Sequence, residues 1–231
     1  MRIVIHQPQY FPYIGFFHKL SLADVYVVMD NTEFNKEGFI HRNKIITPSG
    51  YMWLTIPLIK ESKIIKNIKI NNKLPWRKKH LKSIECYYKN SPHFNEIFPK
   101  IKKIINKESL TLHELDLELI KYLLEYLGIN IKIVTESSLK ISGKSNERLI
   151  NICKSINANT YISGPGSKGY IDENLFNKAG ISLVYQRFEH PQYEQRFSDN
   201  NNFFPNMGII DLLFNKGKES KEIIKNSGGF Y

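Results

Sequence analysis

The stretch Ile3–Asp30, IVIHQPQYFPYIGFFHKLSLADVYVVMD, decides the fold of this 231-residue chain. Ile3-Val4-Ile5 is a short apolar run that reads as a strand. Pro8 and Pro12 then hold the backbone in an irregular loop, because each fixes φ and lacks a donor. Phe16, Phe17, Leu20 and Leu22 predict a short helix. Val25-Tyr26-Val27-Val28-Met29 is rich in β-branched and aromatic residues and predicts a second strand that ends at Asp30. A strand, a loop, a helix and a strand in so short a span is the opening of a parallel α/β sheet.

The rest of the chain extends this pattern. Trp53-Leu54-Thr55-Ile56-Pro57-Leu58 predicts a strand whose edge or end is marked by Pro57. From Trp76 the spacing turns helical, with His80, Ile84 and Tyr88 following at fours. A second helix is expected from Phe94 to Ile105, interrupted by Pro99. A third opens with Thr111 as N-cap and Glu114 completing a capping box, carries leucines at helical spacing, and stops at Gly128. Strands at Ile131–Val134, Thr160–Ser163 and Ser182–Phe188 then alternate with helices at 146–156 and 172–178. A further helix is expected from Asp211. The fold class predicted is α/β, Rossmann-like, with a mostly parallel sheet and a helical insertion or lid over about residues 76–128. Residues 1–217 would form one domain, and residues 218–231 a basic C-terminal tail.

Composition narrows the function. Hydrophobic residues make up 42% and charged residues 24%, which fits a folded core and not a disordered chain. No apolar run approaches the ~20 residues of a membrane span. The N-terminal residues carry no signal-like apolar stretch, and Cys86 and Cys153 make neither a disulfide framework nor a four-cysteine zinc site, so a cytoplasmic protein is expected. The net charge of +11 admits compositional drift, nucleic acid or smaller anionic partners. The basic residues, as in Lys60 to Lys73 and Lys100 to Lys107, are scattered, with no RNP, KH or zinc-finger pattern. A nucleotide-linked sugar or an acidic carrier protein is the partner expected; nucleic acid is not.

Ligands of open α/β sheets bind beyond the carboxyl ends of the strands. His6, Asp30, a glycine-rich turn at 164–169 and His190 each follow a predicted strand, so all four are expected on one edge. His6 is read either as a general base, its ordinary pKa of ~6.5 suiting that role, or as a hydrogen-bonded residue at a strand end. Asp30 would orient His6, accept from a sugar hydroxyl or bind a metal through oxygen; the plain alternative is an Asx turn. Gln7, Gln9 and Tyr10 offer paired donors and acceptors. Arg42, Asn43 and Lys44 would hold phosphate oxygens, or form a solvated basic hairpin. Ser163, Gly164, Gly166 and Tyr170 belong to a loop resembling a phosphate cradle, although it is neither a Walker A nor a G-x-G-x-x-G sequence; the alternative is a turn that needs positive φ. His190, Tyr193 and Gln195 repeat the imidazole–aromatic–amide character of the first loop. His6, Asp30 and His190 are the catalytic candidates. No metal site is expected, because His41, His80, His93 and His113 lack ligand spacing.

These strings together resemble the WbqC-like family. The resemblance rests on Ile5 to Phe17, Ala23-Asp24, Asp30, Phe39 with Arg42-Asn43-Lys44-Ile45, Trp53 to Pro57, Trp76, Lys79-His80 and Tyr87. It continues through Tyr161 to Gly164, Tyr170, Phe188, His190-Pro191, Tyr193, Gln195 and Asp211 to Asn215, over roughly residues 3–217. It departs at Asn206-Met207-Gly208, where a Leu-Ser pair is expected. The resemblance implies surface-polysaccharide or O-antigen biosynthesis and transfer of an acyl, glycyl or other aminoacyl group to an amino sugar. No resident cofactor is expected. The donor would be a thioester on a carrier protein's phosphopantetheine, with an ATP-dependent ligase and a non-catalytic sugar-nucleotide-binding subunit as alternatives. The first strand–helix–strand is also similar to HIGH-type nucleotidylyltransferases, but that signature's histidines fall at Tyr13 and Phe16, which argues against adenylyl transfer.

Overall fold

In the computed structural model, which describes residues 1–59, 61–198 and 203–231, the sheet of the opening stretch forms as expected. Lys60, the first residue of the basic run noted above, lies outside the described residues. The elements in chain order are β1 (Arg2–His6), α1 (Ile14–Ser21), β2 (Val25–Val28), β3 (Arg42–Thr47), β4 (Gly50–Thr55), β5 (Leu58–Ile59) and β6 (Lys69–Ile70). They continue with α2 (Trp76–Tyr88), α3 (Phe94–Asn106), α4 (Leu112–Leu127), β7 (Lys132–Thr135), α5 (Ser145–Ser155) and β8 (Thr160–Ser163). The last are α6 (Glu173–Lys178), β9 (Ser182–Phe188), α7 (Ile210–Lys216), α8 (Ser220–Lys225) and β10 (Gly228–Phe230).

The main sheet has the order β10-β9-β8-β1-β2-β7, parallel except for β10. Counted by appearance, the parallel strands stand third, second, first, fourth, fifth: a Rossmann-like order. The chain leaves β1 toward β2 and β7, then returns through α5 to β8 on the other side of β1. Direction reverses there, so α1 covers one face and α5 and α6 the other. Strand period two divides the side chains accordingly. Val4, Tyr26, Val28 and Ile162 pack with α1 to α4 and α7. Ile3, Ile5, Val25, Val27 and Tyr161 pack with Cys153 of α5 and Phe176 of α6.

The helical block shares a continuous core with the first face, through Ile84, Tyr88, Ile97, Ile101, Leu115 and Leu119. It therefore packs as a layer on the sheet. The capping box at Thr111 and Glu114 is present, and Gly128 ends α4 at φ +61, with Ile129 N–H bonding Leu124 C=O. Two expectations are corrected. Pro99 does not interrupt α3, because it sits on the exposed side, where water can satisfy the carbonyl its ring leaves free. The segment after 217 is not a tail: α8 buries Ile224, and β10 pairs antiparallel with β9 through Gly228, Gly229 and Phe230. Among the described residues no helix is long and apolar enough to cross a membrane.

Candidate functional site

The reversal of direction opens a crevice between the carboxyl ends of β1 and β8. The register that pairs Ile3 with Tyr161 brings His6 and Gly164 to one level just past the last strand residues. A cavity of about 440 Å³ lies here, between this edge and the start of α5. Ile5, Met29 and Leu149 form its apolar wall, and His6, Gln7, Thr32, Ser145, Arg148, Tyr161 and Tyr170 its polar one.

His6 is the residue with chemistry to offer. Its Nδ1 lies 2.8 Å from the Gln7 carbonyl oxygen, which can only accept, so Nδ1 carries the proton and Nε2 keeps a lone pair. The ring stands edge-on to Phe16 at 5.3 Å, which fixes its plane. Burial and the nearby Lys19 ammonium push its pKa down to about 3, so the imidazole is neutral at physiological pH. Gln7 Nε2 donates to Thr32 Oγ1 at 3.1 Å and ties the loop after β1 to the cavity wall. Arg148 lies on the opposite wall. It donates from Nε to the buried Glu136 and from Nη2 to the Asn31 carbonyl at 2.8 Å, and keeps further N–H groups for a ligand.

Asp30 does not orient His6. Its carboxylate, 2% exposed, accepts from the Ser137 backbone N–H and hydroxyl. It therefore fixes the turn after β7 that presents Glu136 to Arg148. His190 is not a free base either. Nδ1 donates to the Pro191 carbonyl at 2.9 Å, and Nε2 accepts from the Asn206 N–H at 3.0 Å, so both nitrogens are engaged.

Most of the expected binding residues also hold the fold. Tyr193 Oη and Gln195 Nε2 both donate to Asp211 Oδ2, at 2.7 and 2.8 Å, while Tyr88 Oη donates to Oδ1 at 2.8 Å. Gln195 Oε1 accepts from Phe204 N–H at 2.9 Å. Asn43 bonds the carbonyls of Tyr10 and Phe11, at 3.2 and 2.7 Å, and the Lys44 N–H. Tyr10 is fully buried and donates to His80 Nδ1, since His80 Nε2 gives its proton to the Thr55 carbonyl. Gln9 Oε1 is buried and has no partner among the described residues. Arg42 lies over Trp53, its guanidinium carbon 4.6 Å from the ring, and donates to the carbonyls of Glu37 and Gly38. Lys44 Nζ lies 4.2 Å from the Tyr51 ring. The basic hairpin is thus self-stacked and does not line the cavity.

The glycine-rich loop forms a short 3-10 turn, Pro165–Ser167, and none of Gly164, Gly166 and Gly169 uses a positive φ. Ser163 is buried, its hydroxyl 2.7 Å from Ser167 Oγ. Tyr170 is exposed and forms part of the cavity rim.

Sequence reasoning missed Lys19, Arg148 and Asp116. Lys19 is 6% exposed, its amine pushed down to about 8 by burial. Arg148 reads in sequence as an ordinary helix-surface residue; only α5's approach to the sheet edge gives it a role. Asp116 is fully buried in α4 with neither oxygen bonded among the described residues, and burial raises its pKa well above the carboxylate range. Its position on the apolar stripe of α4 is the one signal that marked it.

Residues 7–223 match the family model described as the WbqC-like protein family. The uncharacterized protein Rv1507c of Mycobacterium tuberculosis is 28% identical over 228 residues, covering 97% of each chain. No solved structure matches.

Proposed function

The chain belongs to the WbqC-like protein family, and from that membership we propose that it is an N-acyltransferase forming an amide on a nucleotide-linked amino sugar of surface-glycan biosynthesis. The acyl group, glycyl or another aminoacyl among the candidates, comes from a thioester on a carrier protein. The observation that supports this reading best is the neutral His6, which lines the cavity with its Nδ1 held by the Gln7 carbonyl and its Nε2 without a partner among the described residues.

The uncharged sugar amine attacks the thioester carbon. Nitrogen gains the C–N bond and a positive charge, and the carbonyl electrons move onto oxygen. His6 Nε2 accepts one proton from that nitrogen. Collapse of the tetrahedral species breaks the C–S bond, and the proton passes to the departing thiolate. Gln7, Thr32 and Arg148 hold the sugar by hydrogen bonds at the cavity wall. The net charge of +11 favours both the nucleotide and an acidic carrier.

The test is mass-spectrometric detection of the amide, using glycyl-carrier protein with UDP- and dTDP-linked amino sugars. The wild type is expected to acylate one of them, and His6→Ala to lower the rate by ~10²–10⁴-fold. Product from free acid and ATP alone would replace this reading with the ligase. Tight sugar-nucleotide binding without turnover would replace it with the binding subunit.

A further inference from the structure

Lys19 lies on α1, in the last turn before β2. Its side chain is almost wholly buried, and among the described residues no acceptor lies within hydrogen-bond distance and no carboxylate pairs with it. An unpaired buried ammonium is among the costliest groups a fold can carry. Other described lysines lie on aromatic rings, as Lys44 and Lys218 do, or pair with carboxylates, as Lys69 and Lys107 do. Lys19 does neither.

Its position is specific. A Cβ built on Gly164 would stand 3.8 Å from Lys19 Nζ, so the absence of a side chain at 164 leaves the amine open toward the loop after β8. Gly164 has φ −78, so backbone conformation does not require a glycine here. The space beside the amine is a sufficient reason for one. After burial, the charge of Lys19 is the next largest influence lowering the proton affinity of His6. The amine therefore sits beside the segment that follows β8, within electrostatic reach of His6.

We infer that Lys19 and the Gly164 turn form an oxyanion-binding subsite that takes a phosphoryl group of the substrate, with His6 beside it. The inference rests on the transferase reading only in assigning that phosphoryl group to the nucleotide of the acceptor; the site itself stands on the buried amine and its open approach. One consequence links it to chemistry. Burial holds the His6 proton affinity down first and the Lys19 charge second; a phosphate beside Lys19 neutralises that second contribution, so acceptor binding makes His6 a stronger base.

The test is calorimetric titration with pyrophosphate and with UDP, against sodium acetate and chloride controls, on wild type, Lys19→Met and Gly164→Val. The wild type is expected to bind pyrophosphate and UDP but neither control. Lys19→Met keeps the buried stem and removes the charge, so it should weaken both ligands about tenfold to a hundredfold and raise the apo melting temperature. Gly164→Val should cover the amine and weaken binding with the fold intact, which keeps the test decisive if Lys19→Met does not fold. Pyrophosphate binding without UDP binding would leave the oxyanion site standing and remove its assignment to a nucleotide. Equal binding by wild type and both variants, or no binding of either anion at millimolar concentration, would overturn the inference. Anion binding without any amide formation would preserve it while the transferase reading fails.

Discussion

Two polar clusters built from motif-bearing segments differ in what they leave unbonded. Around Asp211 both carboxylate oxygens are taken by Tyr88, Tyr193 and Gln195, and Gln195 is closed in turn by Phe204. Around His6, which lines a cavity, one ring nitrogen is satisfied and the other has no partner among the described residues, nor has the Lys19 amine. Both clusters contain residue types that suit catalysis. Only the second has hydrogen-bonding capacity left for a ligand. A saturated polar network holds elements together; an unsaturated one beside a cavity awaits something.

The contrast is broken or sharpened by substitution. The largest expected effect is Asp211→Ala, which orphans the buried hydroxyls of Tyr88 and Tyr193 at ~1–3 kcal/mol each and leaves Gln195 Nε2 with the Phe204 carbonyl as its remaining backbone acceptor. Its urea midpoint should fall steeply, and an unchanged midpoint would erase the distinction between the clusters. His6→Gln should behave oppositely: a loss of about 1 kcal/mol or less in the same unfolding measurement, but a large loss of transfer.

Acid comes next. His6 is held down to about 3, and His41 and His80 to about 4, each mainly by burial. Between those values and ~6.5 the unfolded chain binds protons that the native one does not, so stability falls as pH drops through this window. The slope is ~1.4 kcal/mol per pH unit for each histidine involved. Unfolding midpoints measured from pH ~7 down to ~4 should flatten in His80→Gln. Lys19 adds a second rise of the same sign on the alkaline side. With its pKa lowered to about 8, stability rises from there toward ~10.4 as the unfolded chain alone stays protonated. The smallest effect expected is Arg42→Ala, worth ~0.5–1 kcal/mol for its ring contact, with the transfer rate unchanged. A rate collapse there would bring the hairpin back into the site.

The sheet was legible because its signals are local. Short apolar, β-branched and aromatic runs mark β1, β2, β8 and β9, and Thr111, Glu114 and Gly128 bracket α4 by capping chemistry. Pro99 was misleading because its cost depends on which side of α3 it occupies, which only packing decides. The C-terminal residues Gly228–Phe230 gave no strand pattern; β9 supplies their hydrogen bonds. In the site, His6 and Gln7 were legible from their place after a strand. Asp30, Tyr193, Gln195 and His190 share that kind of place, yet their partners Ser137, Asp211, Phe204 and Asn206 come from distant segments or from the far side of a loop.

The sequence by itself determined the alternating α/β class, the helical block and the family, because apolar runs, capping residues and motif strings are properties of neighbouring residues. Tertiary structure alone decided which polar groups are satisfied. Hydrogen-bond saturation and desolvation are set by what packs against a side chain from elsewhere in the chain: among the described residues only one His6 nitrogen finds a partner, and Lys19, on the buried side of α1, finds none.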